Sequence, residues 1–202
     1  GKSKTLRCGF VGLGVGTMAA YGVPGDCFRF YEINPQVVEI AQSEFSFLKN
    51  SAATIEHVVG DARLSLEAES PQSYDLLVLD AFSGDAIPTH LLTQQAFEIY
   101  NRHLSNNGLI AFHVSNLHFD LTRVTDGLAA KNDWTSVVIE TPESRDPVTH
   151  VPLIASPGSR WVILGKKGTL PDTLVKAGVS AKSSSPVLWT DDYSNLFQVL
   201  AW

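Results

Sequence analysis

The chain has 202 residues, of which 44% are hydrophobic and 18% are charged, and its formal net charge is −6. This composition is typical of one globular domain, with no apolar run near the roughly 20 residues of a transmembrane helix and no signal peptide at the start. The 15 basic residues form no concentrated positive patch, so we expect no nucleic-acid partner.

Short β-rich runs alternate with helical patterns along the chain, which predicts βαβ units and a mostly parallel sheet. The predicted strands cover residues 6–13, 27–33, 55–59, 74–79, 109–114, 135–140 and 161–164. The predicted helices cover residues 18–21, a segment that begins at Pro35, a segment after Asp61, and residues 93–104, 121–130 and 192–200. We also predict a turn at 106–108 and long loops at 141–159 and 180–186.

A glycine-rich loop, Gly12-Leu13-Gly14-Val15-Gly16, separates the first strand from the first short helix. Glycines in such a loop let the backbone approach a ligand closely, and the helix N-terminus favours negative or polar groups. Thr17 stands where a dinucleotide-binding fingerprint has its third small residue, which argues against NAD or FAD. A tight strand-to-helix turn without a ligand is the structural alternative.

One acidic residue lies at the end of the second predicted strand, and another follows the third. Glu32 lies 20 residues after Gly12, where an acid can accept hydrogen bonds from ribose hydroxyls, although it could also be a solvated residue at a strand end. Asp61 follows the third strand. It either accepts a hydrogen bond from an adenine amino group or caps the helix that begins there.

Asp80 closes the fourth predicted strand, which is almost continuously apolar, as a central strand buried on both faces is. The carboxyl edge of a parallel sheet is where doubly wound folds bind their ligands. A carboxylate at that edge can position an amine nucleophile and accept its proton. The structural alternative is that Asp80 caps the loop that it opens, but we favour a catalytic role.

Other polar residues follow the later strands. His113 and Asn116 end the fifth strand, where they either line the same pocket or have a core or loop-capping role. Asp192 and Tyr193 reach the pocket from the C-terminal segment, or else Asp191 and Asp192 are acids favoured by the dipole of a helix that begins there. The histidines and cysteines show no spacing typical of metal ligands, so we expect no metal.

These motifs together resemble the spermidine synthase family, the polyamine aminopropyltransferases. The resemblance rests on the glycine loop and on the stretches YEIN at 31–34, VGDA at 59–62 and YDLLVLD at 74–80. The segments DAFSGDAIPTHLLT at 80–93 and TDDYSNL at 190–196 are similar to a bacterial branch of that family. Some members of that branch are fused to a membrane-spanning portion.

The resemblance implies a Rossmann-like, seven-stranded, mostly parallel sheet of the S-adenosylmethionine-dependent methyltransferase type, with the last strand antiparallel. It implies one catalytic domain over residues 1–202, without the family's small N-terminal β-domain, and a homodimer. The cosubstrate would be decarboxylated S-adenosylmethionine or S-adenosylmethionine, and the acceptor a small-molecule amine. We expect a cytoplasmic location, since 2 cysteines make no disulfide framework.

Carried onto this sequence, the resemblance and the strand-end positions give a set of candidate site residues. The predicted cosubstrate-binding residues are Gly12, Gly14, Gly16, Glu32, Ile33, Asp61 and Ala62. The predicted catalytic residue is Asp80, and the predicted substrate-binding residues are Ser83, Asp85, His113, Asp192 and Tyr193.

Aminopropyl transfer to a di- or polyamine, with release of methylthioadenosine, is the leading hypothesis. The sequence departs from the family at Val15, where the family has an aspartate that contacts the aminopropyl amine. It also departs at Ser83, where the family has a second aspartate. These departures keep two alternatives open: an S-adenosylmethionine-dependent methyltransferase, and a non-catalytic module that binds adenosine ligands.

Overall fold

A computed structural model describes residues 4–82, 87–144, 158–178 and 185–201. Within these residues the strands are β1 (Arg7–Val11), β2 (Cys27–Glu32), β3 (Thr54–Val59), β4 (Tyr74–Leu79), β5 (Leu104–His113), β6 (Trp134–Thr141) and β7 (Ser159–Lys166). The α-helices are α1 (Pro35–Ser43), α2 (Ala62–Ala68), α3 (Gln94–Arg102), α4 (Thr122–Lys131) and α5 (Asp172–Ala177). Short 3₁₀ helices cover Thr17–Tyr21, Thr89–Leu91 and Leu196–Val199.

The strands form one seven-stranded sheet in the order β3-β2-β1-β4-β5-β7-β6. β1 pairs in parallel with β2 and with β4, and β2 pairs in parallel with β3. The last strand, β7, pairs antiparallel with β6. The predicted fold class, a Rossmann-like sheet of seven strands with an antiparallel last strand, is therefore confirmed.

The chain divides into two compact units. The first comprises residues Gly1–Phe82 and Gln95–Ile110, and its core includes Phe10, whose ring stacks on that of Phe30 at 4.8 Å between centroids. The second comprises Ser83–Gln94 and Ala111–Trp202, and its core includes the fully buried Trp189. No helix in the described part of the chain is both long and apolar enough to cross a membrane.

The first four strands agree with the sequence analysis within two residues at each end, but the turn predicted at 106–108 is wrong. Those residues lie inside β5, which runs without interruption from Leu104 to His113. A Cβ atom at Gly108 would stand 2.5 Å from the carbonyl oxygen of Tyr74. The glycine therefore permits a close backbone approach within the strand and does not form a hairpin turn.

The helix predicted over 192–200 is also wrong. Thr190 and Tyr193 exchange two backbone hydrogen bonds of 2.9 and 3.1 Å, which closes a tight turn with Asp191 and Asp192 at its tip. Only the short 3₁₀ helix Leu196–Val199 follows, and the side chain of Asn195 caps it. The alternative in which the two acids favour a helix dipole is therefore wrong. Most of the two predicted long loops lies outside the described residues: residues 145–157 of the first and 180–184 of the second.

Candidate functional site

The glycine loop is held between the ends of β2 and β4. The amide of Gly12 donates to the carbonyl of Tyr31, and the amide of Asp80 donates to the carbonyl of Val11, both at 2.9 Å. Gly12 has a φ angle of 98°, and a Cβ atom there would lie 2.9 Å from the carbonyl carbon of Asp80. Gly12 is therefore required by the close approach of two strand ends, whether or not a ligand binds.

The other two glycines of the loop have different surroundings. Gly16 has a φ of 82°, and a Cβ there would stand 2.8 Å from the side chain of Leu48. Gly14 has a φ of 53°, and a Cβ there would meet no atom within 4 Å. Val15, between them, is 36% exposed. Gly14 is thus the loop position whose surroundings leave room for a ligand to approach the backbone.

Glu32 anchors the glycine loop, a role that the sequence analysis did not find. One carboxylate oxygen accepts a hydrogen bond from the amide of Leu13 at 3.1 Å, and the other accepts from the amide of Asn34 at 2.9 Å. The carbonyl of Glu32 also accepts from the amide of Gly60, which joins the ends of β2 and β3. A carboxylate has about four lone-pair positions, so Glu32 retains acceptor capacity for a vicinal diol such as that of ribose.

Asp61 caps the N-terminus of α2, because its side chain accepts a hydrogen bond from the amide of Leu64 at 2.9 Å. The capping alternative is therefore confirmed, and the adenine contact stays a prediction. Ala62 is buried in the first turn of α2, whereas Ile33 is 67% exposed just after β2. An exposed aliphatic side chain next to Glu32 offers an apolar surface for a flat ring.

Asp80 is an exposed residue directly after the most deeply buried part of β4, where Leu77 and Leu79 have no exposed surface. Its position follows from the strand order, since β4 lies beside β1 and both strands end at the same edge. Glu32 is the last residue of β2 and Asp61 follows β3 at that edge, because β1, β2 and β3 pair in parallel. Glu32, Asp61 and Asp80 therefore lie at or just after the carboxyl ends of three strands, β2, β3 and β4, of the parallel set β3-β2-β1-β4.

A hydrogen-bonded group of two buried tyrosines and a partly buried ion pair joins β2 to β4 and to the end of α2. The hydroxyls of Tyr31 and Tyr74 lie 2.7 Å apart, and the Tyr31 hydroxyl donates to Glu69 at 3.0 Å. Arg29 donates to the same carboxylate at 2.7 Å. Burial raises the pKa of Tyr31 to about 12 and also raises the pKa of Tyr74. Both tyrosines are therefore protonated at neutral pH, and they support the strand that carries Glu32.

In the second unit, His113 ends β5 and is half-buried. Its ring stacks on that of Trp161, with centroids 4.4 Å apart and planes 6° from parallel. Its Nε2 lies 2.8 Å from the hydroxyl oxygen of Ser115, which accepts from the amide of Arg160 at 2.7 Å. His113 is thus held by the start of β7. A role in substrate binding stays a prediction.

The remaining candidates of the second unit lie in loops. The side-chain oxygen of Asn116 accepts from the amides of His118 and Phe119, so its loop-capping alternative is confirmed. Asp192 and Tyr193 are exposed in the tight turn described above, and Tyr193 is 52% exposed. Their substrate-binding role stays a prediction.

Two predicted substrate-binding residues lie outside the described residues: Ser83 and Asp85. In the described part of the chain, no group of three or more histidine, cysteine, aspartate or glutamate residues is placed to hold a metal ion.

No protein family model matches this chain. Two curated relatives do. A polyamine aminopropyltransferase of Vibrio vulnificus is 32% identical over 123 residues, which are 57% of this chain and 40% of that protein. An N-terminal histidine N-methyltransferase of Emericella nidulans is 30% identical over 107 residues, which are 51% of this chain and 19% of that protein. The chain therefore spans less than half the length of either relative.

Among solved structures, human methyltransferase-like protein 13 in complex with SAH is similar to this chain, with a TM-score of 0.61 and 18% sequence identity. The similarity covers 86% of this chain and 78% of that chain. This chain has the Rossmann-like fold of S-adenosylmethionine-dependent methyltransferases. Its two curated relatives are both transferases, but they transfer different groups.

Replacing Glu32 by glutamine is expected to weaken the binding of S-adenosylhomocysteine at least about tenfold. Glutamine keeps one acceptor oxygen, so the hydrogen bond from Leu13 of the glycine loop or the one from Asn34 is lost, and a hydrogen bond to a charged group contributes about 1.5–3 kcal/mol. Isothermal titration calorimetry measures the change. Glu44→Gln, at an exposed residue directly after α1, is the matched control. Equal affinities of Glu32→Gln and the unmodified chain for S-adenosylhomocysteine would contradict the role of Glu32 in holding the glycine loop for ligand binding.

Proposed function

We propose that this chain is a transferase with an adenosyl sulfonium cosubstrate, and that its reaction is aminopropyl transfer from decarboxylated S-adenosylmethionine to a di- or polyamine. The position of Asp80 carries the proposal. Its carboxylate is exposed at the end of a buried strand, and its backbone lies against Gly12 of the glycine loop. The identity shared with a polyamine aminopropyltransferase supports the same reaction.

The residues at the ends of β1 and β2 fit an adenosyl group. Glu32 is fixed by two amides and keeps acceptor capacity for ribose hydroxyls. The open space at Gly14 allows a ligand to reach the loop backbone, and the exposed Ile33 offers an apolar contact. These features support cosubstrate binding in the first unit, and the proposed reaction requires no metal.

The proposed reaction places modest demands on the protein. The lone pair of the amine nitrogen forms a bond to the propyl carbon next to the sulfonium. The carbon–sulfur bond breaks with its electrons going to sulfur, so neutral methylthioadenosine leaves. A free alkylammonium has a pKa of about 10, like that of lysine, so it must lose a proton before it attacks. The carboxylate of Asp80 would attract the ammonium, accept that proton and pass it to water.

Methyl transfer from S-adenosylmethionine is the second candidate, and Val15 favours it. This aliphatic side chain is 36% exposed in the glycine loop, beside the open space at Gly14. Valine cannot form an ion pair with an amine. It therefore gives no preference for decarboxylated S-adenosylmethionine, whose amine lacks a neighbouring carboxylate, over S-adenosylmethionine. The identity shared with an N-methyltransferase supports this candidate as well.

Calorimetric titration with decarboxylated S-adenosylmethionine and, in parallel, with S-adenosylmethionine tests the proposal. Affinity for the decarboxylated form that is tenfold higher or more, about 1.4 kcal/mol, would support aminopropyl transfer. The reverse preference would favour methyl transfer. The product separates the two reactions independently, since one releases methylthioadenosine and the other S-adenosylhomocysteine. A folded chain that binds neither ligand would contradict both, and binding without turnover of any amine would indicate a non-catalytic module.

A further inference from the structure

Tyr31 joins several elements of the first unit. It is the penultimate residue of β2, and it is only 1% exposed. Its carbonyl oxygen accepts the hydrogen bond from the amide of Gly12 in the glycine loop. Its hydroxyl reaches Tyr74 in β4 and Glu69, the residue directly after α2. A single side chain in β2 thus contacts β4 and the end of α2, while its own backbone holds the glycine loop.

The hydrogen bonds of the Tyr31 hydroxyl run in one direction. An ionised carboxylate only accepts, so the Tyr31 hydroxyl donates its single hydrogen to Glu69, at 3.0 Å. At the 2.7 Å contact with Tyr74 it must therefore be the acceptor. Arg29 forms an ion pair of 2.7 Å with Glu69, which compensates the charge of that carboxylate. The Tyr31 hydroxyl is consequently held from two sides.

The next residue, Glu32, is the one whose carboxylate we assign to the ribose. Glu32 is the last residue of β2, so the strand continues on one side of it only. Two hydrogen bonds from the glycine loop to β2 end on these consecutive residues, because Gly12 donates to Tyr31 and Leu13 donates to Glu32. The position of Tyr31 therefore affects both the ribose carboxylate and the loop that this carboxylate holds.

The hydrophobic core does not by itself require the hydroxyl of Tyr31. A phenylalanine ring at this position would bury nearly the same apolar surface. A buried hydroxyl costs free energy unless it is hydrogen-bonded, and here two partners satisfy it. A buried polar network that is fully satisfied specifies one arrangement of the elements that it joins. What the hydroxyl adds is therefore a fixed position of the end of β2 relative to β4 and α2.

We propose that Tyr31 is a positioning residue for cosubstrate binding, whose hydroxyl fixes the end of β2 so that the carboxylate of Glu32 meets the ribose hydroxyls. Such a role rests on the proposed function, because it needs an adenosyl ligand with its ribose at Glu32. A positioning role predicts that removal of the Tyr31 hydroxyl lowers the preference for a ligand with a complete ribose diol. A purely structural role predicts lower stability without a change in that preference.

Isothermal titration calorimetry of the full chain with S-adenosylhomocysteine and with its 2′-deoxy analogue tests this role. The ratio of the two dissociation constants measures the contribution of the 2′-hydroxyl. We expect the unmodified chain to bind S-adenosylhomocysteine at least about tenfold more tightly than the analogue, as a hydrogen bond to a charged group allows. Tyr31→Phe should reduce this preference to less than about threefold, because Glu32 is then held less firmly.

Tyr74→Phe is the matched control, since it removes a buried hydroxyl from the same network. The Tyr31 hydroxyl still donates to Glu69 in this variant, so the preference should stay within about twofold of that of the unmodified chain. Urea denaturation should show lower stability in both tyrosine variants. An equal reduction of the preference in Tyr74→Phe would overturn the proposal, because it would reflect a general loss of packing.

A second variant keeps the test decisive where Tyr31→Phe does not fold. Glu69→Ala removes the acceptor of the Tyr31 hydroxyl at a side chain that is 20% exposed, and it should reduce the preference as well. Glu67→Ala, at an exposed residue of α2, should leave the preference unchanged. A preference that persists in Tyr31→Phe or in Glu69→Ala would overturn the positioning role alone. Failure of the unmodified chain to bind S-adenosylhomocysteine would overturn the proposed function together with this role.

Discussion

Asp80→Asn is expected to lower kcat/KM for the proposed group transfer by about 100- to 10,000-fold, the range attributed to a positioned general base. Asparagine has nearly the same shape but does not carry the negative charge that attracts the ammonium, and its amide does not accept the proton. Asp80 is exposed, so we expect the free energy of unfolding to change by less than about 0.5 kcal/mol. Release of methylthioadenosine or S-adenosylhomocysteine measures the rate.

The control for Asp80→Asn is Asp172→Asn, at an exposed residue in the first turn of α5. It should leave the rate within about twofold. Binding of S-adenosylhomocysteine should be nearly unchanged in Asp80→Asn, since that ligand's adenosine contacts are attributed to Glu32 and the glycine loop. A rate close to that of the unmodified chain would remove Asp80 from the mechanism. A parallel loss of rate and of folding stability would assign it a structural role.

The part of the site in the first unit could be predicted from sequence because it depends on strand ends. β4 shows a continuous apolar run that stops at Asp80, and each parallel strand places its next residue at the same edge of the sheet. The positions of Glu32, Asp61 and Asp80 at strand ends were therefore enough to predict that they lie at one edge of the sheet. The hydrogen bonds that the carboxylate of Glu32 accepts from the amides of Leu13 and Asn34 were not predicted, since backbone amides leave no signal in the sequence.

The errors in the second half of the chain come from local signals that long-range contacts override. Asn-Gly at 107–108 is a strong turn signal, but the segment remains in β5, where Gly108 lies close to the backbone of Tyr74. Two acids before an apolar segment are typical of a helix start, but the turn closed by Thr190 and Tyr193 places them outside any helix.

The surroundings of His113 depend on pairing that sequence spacing does not reveal. Ser115 receives a hydrogen bond from Arg160, 45 residues away, and Trp161 covers the ring of His113. Only the pairing of β7 within the sheet brings these residues together. Similarly, Asp126 is one of several polar residues in α4, and its burial follows from the contact with Ser136 in β6.

Gly127→Ala is expected to destabilise the fold by about 2–3 kcal/mol, although alanine is intrinsically the better helix former. Helix propensity alone would favour the substitution by about 1 kcal/mol. A Cβ at Gly127, however, would overlap the carbonyl oxygen of Val187 and lie 2.6 Å from its carbonyl carbon. The clash is with backbone, which a change of rotamer cannot relieve, so the segment must move away from α4.

That segment is fastened to α4 on both sides of Val187. The amide of Val187 donates to the carbonyl of Arg123 at 2.8 Å, and the guanidinium of Arg123 donates to the carbonyl of Ser185 at 2.9 Å. Displacement by the added methyl group would stretch both bonds, so the clash should outweigh the gain in helix propensity. Urea denaturation measures the result, with Ala130→Gly as a control that should lose about 0.5–1 kcal/mol through propensity alone. A Gly127→Ala chain as stable as the unmodified one would show that the segment at Val187 is not packed against α4 in solution.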